Sequence, residues 1–335
     1  MYPRLPFPPR NEGQRSVDDE SKAHCSISLT IIGSMAYRCR REAHPLMYTL
    51  SPIGAFAKEV KGLSLWETQD ELTIARLADV WSRHGVLVFR SQVLSETELV
   101  NFSNNFGDPD VIVREDWSSS HTPEVIQISN MKNYHGQSIG GLGAGELDWH
   151  TDQSYMIAPA TGSILYMVEM PPQAPLTYWA NLQLAYAALP EHKKEEINDL
   201  QVIYDYSVRQ STYDDEPKMP AEIRHKTPPV THPLVNRHPQ TGNPALYLDP
   251  TTAAGIKGWS NTQSKKLLDE LVTHATQADF IYTHEWQIGD VVMWDNGFLM
   301  HRRDAFDAAH NRLLKRTTLK LSPDRHLVPT GSLVT

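Results

Sequence analysis

Residues 147–155, LDWHTDQSY, follow a glycine-rich segment, and the pattern predicts a short β-strand that leaves a loop. Side chains at i and i+2 point to the same face of a strand, so His150 and Asp152 would present an imidazole and a carboxylate side by side. Asp148 has the same parity and is a rival carboxylate. Both groups bind metals, but two ligands do not make a site, so a third must come from elsewhere in the chain.

Many short apolar segments bounded by turn residues surround this stretch, and they indicate further strands. Helical periodicity is confined to a few segments, and one of them opens with a capping box in which Ser95 precedes Glu98 and closes at Gly107. There is no regular βαβ alternation and no internal repeat. We therefore predict a mainly β fold with flanking helices, an antiparallel barrel or double sheet. The predicted strands include 86–90, 124–130, 161–170 and 311–321. The predicted helices include 71–84, 95–106 and 261–277, and 182–200 is predicted as a helix, a turn and a second helix.

The composition of the 335 residues, 40% apolar and 21% charged, is typical of a globular protein with one large core. Residues 1–46 are proline-rich and charged in their first half, which predicts a disordered or dispensable leader. We place the folded domain at 47–325 and a C-terminal tail at 326–335. Within the domain, the polar, proline-containing segment 205–229 is typical of a long surface loop, and loops of that length are often functional lids.

Charge and cysteine content exclude several classes of protein. The net charge of −9 comes without a basic stripe, so a nucleic-acid partner is not expected. No run of about 18 apolar residues is present, so no membrane span is expected. The two cysteines, Cys25 and Cys39, lie in the leader, which excludes a disulfide framework and a cysteine-rich zinc site. The leader lacks the order of a signal peptide, and a cytoplasmic enzyme is the default expectation.

His301, in the segment WDNGFLMHRRDAF, is the best candidate for the third ligand. It lies far from His150 in sequence, but a barrel can bring distant strands within reach of one metal. Two histidines and one carboxylate form the facial triad of non-haem Fe(II), which leaves positions open for a co-substrate and O2. Zinc on the same ligands would make a hydrolase, with Glu146 as the nearby candidate for its general base by parity. Alternatively, HRRD could be a solvated charged turn in which His301 binds no metal.

Two arginines distinguish these possibilities. Arg312 and Arg316, in NRLLKRTTLKL, share one face of a predicted strand with Leu314 between them. An arginine aimed into a barrel is costly unless it meets an anion, and its planar guanidinium suits a carboxylate. A buried arginine beside a facial triad is what the distal carboxylate of 2-oxoglutarate requires. The second arginine suggests another anionic group, on the co-substrate or the substrate.

Taken together, WHTDQSY, WDN…MHRRDAF and NRLLKRTT resemble the TauD/TfdA family of Fe(II)/2-oxoglutarate-dependent dioxygenases, in the family's motif order over roughly residues 48–322. The resemblance implies a double-stranded β-helix, that is, a cupin-like jelly-roll core. It also implies that His150, Asp152 and His301 are the iron ligands, which favours Asp152 over Asp148. Family relatives that chlorinate lack this carboxylate, so a halogenase is not implied.

The resemblance further implies that Arg312 and Thr177 bind the distal carboxylate of 2-oxoglutarate. It implies that Arg316 contacts the co-substrate or an anionic substrate. The chain departs from the family in one place, because APLT (174–177) stands where many members carry Gly-Gly-Asp before the threonine. Pro175 stiffens that turn, which leaves the shape of the neighbouring pocket wall open.

The implied reaction is hydroxylation of a small, anionic organic substrate with O2, releasing succinate and CO2. Sulfonates, sulfate esters, phenoxyalkanoates and amino-acid-like metabolites are the substrate classes of similar proteins. A non-catalytic jelly-roll metal-binding protein and the zinc hydrolase are the alternatives, and a homo-dimer or tetramer is left open. The candidate pocket residues are Trp117, Tyr134, His135, Tyr155 and the 205–229 segment, whereas Trp149 and Trp294 are expected to pack in the core.

Overall fold

Short β-strands dominate the computed structural model, which describes residues 48–210 and 221–334; the predicted leader 1–46 lies outside this range. The strands are β1 (Thr49–Ile53), β2 (Ala57–Lys61), β3 (Val86–Phe89), β4 (Gly107–Pro109), β5 (Val125–Ser129), β6 (Gly141–Leu142), β7 (Leu147–His150), β8 (Gly162–Glu169), β9 (Thr177–Asn181), β10 (Gln201–Tyr204), β11 (Val230–Pro233), β12 (Val235–Arg237), β13 (Pro244–Leu246), β14 (Ala253–Ile256), β15 (Ile281–His284), β16 (Val291–Asp295), β17 (Leu299–Arg303), β18 (Leu313–Leu321) and β19 (Ser332–Leu333). The α-helices are α1 (Glu71–His84), α2 (Glu96–Ser103), α3 (Leu182–Ala188), α4 (Glu191–Ile197), α5 (Tyr206–Gln210), α6 (Ala221–Lys226) and α7 (Asn261–Ala275).

Two of the sheets build the framework of the molecule. A nine-stranded sheet has the order β1-β2-β3-β16-β8-β18-β5-β6, with β4 paired to β18. A four-stranded sheet has the order β15-β9-β17-β7. The pairings are antiparallel except β2 with β3 and β5 with β6, which agrees with the predicted mainly β fold with few helices. A second four-stranded sheet, β14-β10-β11-β19, and the hairpin β12-β13 complete the described strands.

The apolar residues of the large sheet alternate between two cores, as the two-residue period of a strand requires. On β8, Ile164 packs against helices α1 and α2, whereas Leu165 packs against residues of the smaller sheet such as Trp179. On β18, Leu314 belongs to the same inner cluster as Leu165. The predicted parity of the last strand is therefore confirmed, because Arg316 shares the inward face of Leu314.

Most of the predicted helices are present, and the signals that predicted them are visible as contacts. Gly85 ends α1 with φ +74° and donates its N–H to Trp81, and Ser95 and Glu98 form the predicted capping box of α2. The prediction that Gly107 closes α2 was wrong, since the helix ends at Ser103. Gly107 lies in β4, where a Cβ would come 2.5 Å from a backbone oxygen of Lys320 on the neighbouring strand, so close pairing requires a glycine there.

The prediction of a continuous loop at 205–229 was also wrong. Helices α5 and α6 occupy parts of it, and residues 211–220 lie outside the described residues. Tyr206 and Arg209 are buried on α5, so α5 packs inward, whereas α6 is exposed apart from Ile223. Near the C-terminus, β19 pairs with β11, and Leu327 is buried in the inner cluster. Among the described residues no helix has the length and hydropathy to cross a bilayer.

Candidate active site

The two histidines of the predicted triad lie on neighbouring strands of the smaller sheet. His150 ends β7 and His301 lies in β17, and the two residues are direct partners across the ladder. Asp152 follows β7 in the chain. One ligand atom from each of the three residues lies within 4.8 Å of the others, and all three side chains are buried. Two imidazole nitrogens and one carboxylate oxygen in this arrangement fit the facial triad that holds non-haem Fe(II).

The protonation of the histidines also suits a metal. Nδ1 of His150 lies 2.7 Å from the backbone oxygen of Asp148, which can only accept, so Nδ1 carries the proton and Nε2 is left as a lone pair. Burial and the neighbouring His301 lower the pKa of His150 to about 3. Burial, with Arg316 adding to it, lowers the pKa of His301 to about 4. Both rings are therefore neutral near pH 7, the state that ligates a metal.

A chain of hydrogen bonds holds the carboxylate of Asp152. Trp294 donates to Asn296 at 2.7 Å, Asn296 donates to the hydroxyl of Ser163 at 3.1 Å, and Ser163 donates to Oδ2 of Asp152 at 3.1 Å. All four side chains are buried. Hydrogen bonds to a metal ligand from such neighbouring groups orient it. Ser163 and Asn296 were not identified from the sequence as residues with this role. Asn296 lies in the WDN segment, but its partner Ser163 comes from another strand.

The rival carboxylates lie outside this cluster. The side chain of Asp148 is exposed, whereas that of Asp152 is buried between the histidines. Glu146 is also exposed and pairs with Arg302 at 3.0 Å. The general base that a zinc hydrolase would need is therefore not supplied by Glu146. HRRD is not a solvated turn either, because its first three residues belong to β17.

A cavity opens beside the triad between the two sheets. It is lined by His150 and Asp152 on one side and by Arg316 of β18 on the other. The predicted pocket residues Trp117 and Tyr155 lie in its wall. Tyr206 and Arg209 place part of the predicted 205–229 segment in the same wall, whereas sequence reasoning did not identify Ile112, Arg114 and Leu142.

Two predicted pocket residues are placed elsewhere. Tyr134 is 99% exposed, and His135 is exposed beside it. They belong to a turn in which the side chain of Asn133 accepts from the backbone N–H groups of His135 and Gln137. The expectation that they line the pocket was therefore wrong, because this turn faces solvent.

A second group of polar residues lies two positions along the sheet from the triad. Thr177 of β9 is the direct partner of Arg303 of β17, just as Trp179 is the partner of His301. Two residues span about 6.6 Å along a strand, so Thr177 and Arg303 form the next row on the face that carries His301. The guanidinium carbons of Arg303 and Arg312 lie 5.3 and 5.5 Å from the ring centre of Phe306. Arg312 therefore lies near Arg303 at the ring of Phe306, and we count it with the row formed by Thr177 and Arg303.

Arg312 lies immediately before β18 and is 2% exposed. Its backbone N–H donates to Asn130, but its Nε atom has no hydrogen-bond partner in the described part of the chain. Burial lowers the pKa of Arg312 well below its ordinary value, and Arg303 lowers it further. A buried cation in this state is stabilised by an anion, so the row that contains Thr177, Arg303 and Arg312 fits a carboxylate.

Arg303 was not identified from the sequence, although it lies on the same face of β17 as His301. It is buried, and its Nη2 donates to the backbone oxygens of Leu142, at 3.1 Å, and Gly145. Arg302 points to the other face, where its guanidinium stacks 4.0 Å from the ring centre of Tyr178. Trp294 packs 5.0 Å from the His301 ring as a core residue, as expected.

Comparison with known proteins agrees with this geometry. The profile of the family described as "Taurine catabolism dioxygenase TauD, TfdA family" matches residues 48–318. The alpha-ketoglutarate-dependent 2,4-dichlorophenoxyacetate dioxygenase of Cupriavidus pinatubonensis is 30% identical over 272 residues, which cover 78% of this chain and 94% of that protein. The alpha-ketoglutarate-dependent sulfate ester dioxygenase of Pseudomonas putida is 28% identical over 289 residues, covering 82% of this chain and 90% of the relative.

Solved structures give the same result. A taurine dioxygenase from Burkholderia xenovorans matches with a TM-score of 0.70 and 28% identity, over 86% of this chain and 96% of that one. The structure of AAD-2 in complex with Mn(II) and N-oxalylglycine also matches with a TM-score of 0.70 and 28% identity, over 82% of this chain and 98% of that one. The family profile spans most of the described residues, including both candidate rows of the site. The chain belongs to the TauD/TfdA family of dioxygenases.

Proposed function

We propose that the protein is an Fe(II)- and 2-oxoglutarate-dependent dioxygenase that hydroxylates a small, anionic organic substrate and releases succinate and CO2. The observation that carries this proposal is the buried convergence of His150, Asp152 and His301 beside two separate groups of buried arginines. Fe(II), 2-oxoglutarate and O2, when bound, would supply the oxidising chemistry, with O2 as the oxidant, and the protein supplies position and shielding. The three side chains would hold the metal through Nε2 of each histidine and a carboxylate oxygen.

The row formed by Thr177, Arg303 and Arg312 is proposed to bind the distal carboxylate of 2-oxoglutarate. It lies one strand repeat from His301, a separation comparable to the length of a five-carbon dicarboxylate. Each of the three side chains offers N–H or O–H donors, and the two guanidinium groups offset the negative charge. Phe306 lies against both guanidinium groups and limits the access of water to that end.

Arg316 is proposed to bind the anionic group of the primary substrate. It lines the cavity beside Asp152, whereas Arg312 lies with Phe306 and Arg303. The matched relatives are named for a phenoxyacetate, a sulfate ester and taurine, which share an anionic group on a small carbon skeleton. The apolar and aromatic residues of the cavity wall would receive that skeleton, with Trp117 and Tyr155 among them.

We further infer that the two main sheets form a double-stranded β-helix, the jelly-roll core implied by the family. Arg316 on the nine-stranded sheet reaches Asp152, which follows β7 of the four-stranded sheet, so the sheets face one another across the site. The inner apolar cluster also takes residues from both sheets. The domain limits 47–325, a cytoplasmic location and a homo-oligomeric assembly stay predictions.

Two measurements test the proposed function. Anaerobic addition of Fe(II) and 2-oxoglutarate is expected to give a weak visible metal-to-ligand charge-transfer band, and its absence from folded, iron-loaded protein would contradict the proposal. Succinate release should then be screened over sulfonates, sulfate esters, phenoxyalkanoates and amino acids, with each candidate omitted in turn to subtract uncoupled turnover. The D152A variant is the inactive control, and D148A, which removes an exposed carboxylate on the same strand, should retain turnover.

A further inference from the structure

A buried hydrogen bond fixes the hydroxyl of Thr177. The indole Nε1 of Trp286 lies 2.8 Å from Oγ1 of Thr177, and both side chains are buried. An indole N–H can only donate, so the threonine oxygen must be the acceptor in this contact. The hydroxyl proton is then left for another acceptor, and within residues 48–210 and 221–334 no hydrogen bond from this hydroxyl is formed.

The neighbours of Thr177 on the co-substrate side are donors. Its strand partner Arg303 and the nearby Arg312 carry only N–H groups on their side chains. A hydroxyl proton beside a positively charged pair of arginines suits a ligand that accepts hydrogen bonds and carries negative charge. A carboxylate meets both conditions, and it would accept the proton that Trp286 leaves available.

Trp286 is itself held in one orientation. The ring of His284 packs edge-on against it with ring centres 4.5 Å apart. Nε2 of His284 lies 3.1 Å from the carboxylate of Asp290, and Nδ1 lies 2.7 Å from the hydroxyl of Tyr282. Burial lowers the pKa of His284, so the ring is neutral; its Nε2 donates to the carboxylate and its Nδ1 accepts from Tyr282. This fixed ring leaves the indole little freedom to turn away from Thr177.

We propose that Trp286 is a positioning residue for the co-substrate: its N–H fixes the hydroxyl of Thr177 so that the hydroxyl proton is donated to the distal carboxylate of 2-oxoglutarate. The inference rests on the proposed function, because it needs that carboxylate at Thr177. Loss of the indole N–H frees the hydroxyl to rotate and to donate elsewhere. Affinity for 2-oxoglutarate then falls, whereas affinity for the primary substrate at Arg316 does not change.

The test is a double-mutant cycle of W286F and T177V. Binding of N-oxalylglycine, a 2-oxoglutarate analogue, to the Mn(II)-loaded full-length protein is measured by calorimetry. W286F is expected to weaken binding by about five- to tenfold, less than the complete loss of a bond to a charged group, because the hydroxyl is still present but no longer held in one orientation. In the T177V background the same change should have no further effect, because there is no hydroxyl left to direct. In turnover, KM for 2-oxoglutarate should rise while kcat at saturation and KM for the primary substrate hold.

W81F is the matched control for removal of a buried indole. The Nε1 of Trp81 is buried and has no hydrogen-bond partner in the described chain, so W81F removes the same atoms without removing a bond. It should leave the affinity for N-oxalylglycine unchanged.

Three results separate the possibilities. Equal weakening by W286F in the presence and absence of T177V would overturn the inference, because Trp286 would then act through packing alone. Failure of the wild-type, Mn(II)-loaded protein to bind N-oxalylglycine would instead overturn the proposed function. If W286F does not fold, NMR spectra of the Zn(II)-loaded protein labelled with 15N-tryptophan are recorded instead, and the indole N–H signals are followed. One signal should shift both in T177V and on addition of N-oxalylglycine, and no signal that responds to both would overturn the inference.

Discussion

Nη1 of Arg316 lies 3.1 Å from both carboxylate oxygens of Asp152, and both side chains are buried. Burial alone would raise the pKa of Asp152, but Arg316, followed by the two triad histidines, holds it below its ordinary value. The carboxylate is therefore an anion before any metal arrives. One arginine thus links the two parts of the site, because it supports a metal ligand and also lines the substrate cavity.

Replacement of Arg316 is expected to weaken binding of the primary substrate and to leave binding of the co-substrate nearly unchanged. R316Q should raise KM for the primary substrate by about 10- to 100-fold, since a charge-assisted bond to a buried anion is lost. The affinity of the Mn(II)-loaded protein for N-oxalylglycine should change by less than about threefold. Steady-state kinetics on the substrate found by the succinate screen and calorimetry give the two values. A rise only in the N-oxalylglycine Kd would assign Arg316 to the co-substrate.

Removal of the triad carboxylate is expected to abolish metal binding. D152A should lose at least about 100-fold in affinity for Mn(II), because two buried histidines remain without the charged ligand. D148A should bind Mn(II) like the wild type, since the backbone oxygen of Asp148, which accepts from His150, is retained. Calorimetric titration of both variants compares them. Equal losses in the two variants would contradict the assignment of Asp152.

Arg303 and Arg302 form a matched pair of adjacent arginines on opposite faces of β17. R303Q should raise KM for 2-oxoglutarate by about tenfold or more, because Arg303 is the strand partner of Thr177 and lies near Arg312. R302Q should leave that value within about twofold, because Arg302 forms partly exposed pairs with Glu146 and Asp304. Initial rates at varied 2-oxoglutarate decide the comparison. A similar effect of both variants would show a general loss of fold rather than a co-substrate contact.

The pH dependence of metal uptake follows from the lowered pKa values of the triad. With pKa values of about 3 for His150 and about 4 for His301, both rings are deprotonated at pH 6.5 before the metal binds. An ordinary histidine with a pKa near 6.5 would be about half protonated there and would release protons on binding. Titration of Mn(II) at pH 6.5 in buffers of different ionisation enthalpy should therefore give equal binding enthalpies. Release of about one proton per metal would contradict this.

Local patterns in the chain predicted most of its helices and supplied the candidate ligands of the metal. The periodicity of α1 and the capping box at Ser95 depend on residues within a few positions of one another, so they are visible in the sequence. The parity of His150 and Asp152 is local in the same sense. The choice of Asp152 over Asp148 came from the family resemblance, and burial in the folded chain agrees with it.

The error at 205–229 arises because local sequence carried no signal for the helices there. The described parts of helices α5 and α6 cover five and six residues, fewer than the roughly 11 residues over which a helical period is recognised. Their helical state comes from tertiary packing, such as the burial of Tyr206 and Ile223, and this packing leaves no periodic signal. Arg209 lines the cavity from this segment, which the sequence had placed among the candidate pocket residues but had predicted to be a loop.

The contacts that complete the site depend on pairs of residues distant in sequence. Asn296 reaches Ser163 because β8 and β16 are neighbours, and Trp286 reaches Thr177 because β15 pairs with β9. A sequence specifies which side chains share a face of one strand, since that period is fixed by backbone geometry. It does not specify which strand lies alongside or in what register, because those depend on burial of the whole apolar surface at once. The candidate ligands could therefore be identified from the sequence, whereas the groups that orient them could be identified only from the pairing of strands in the folded chain.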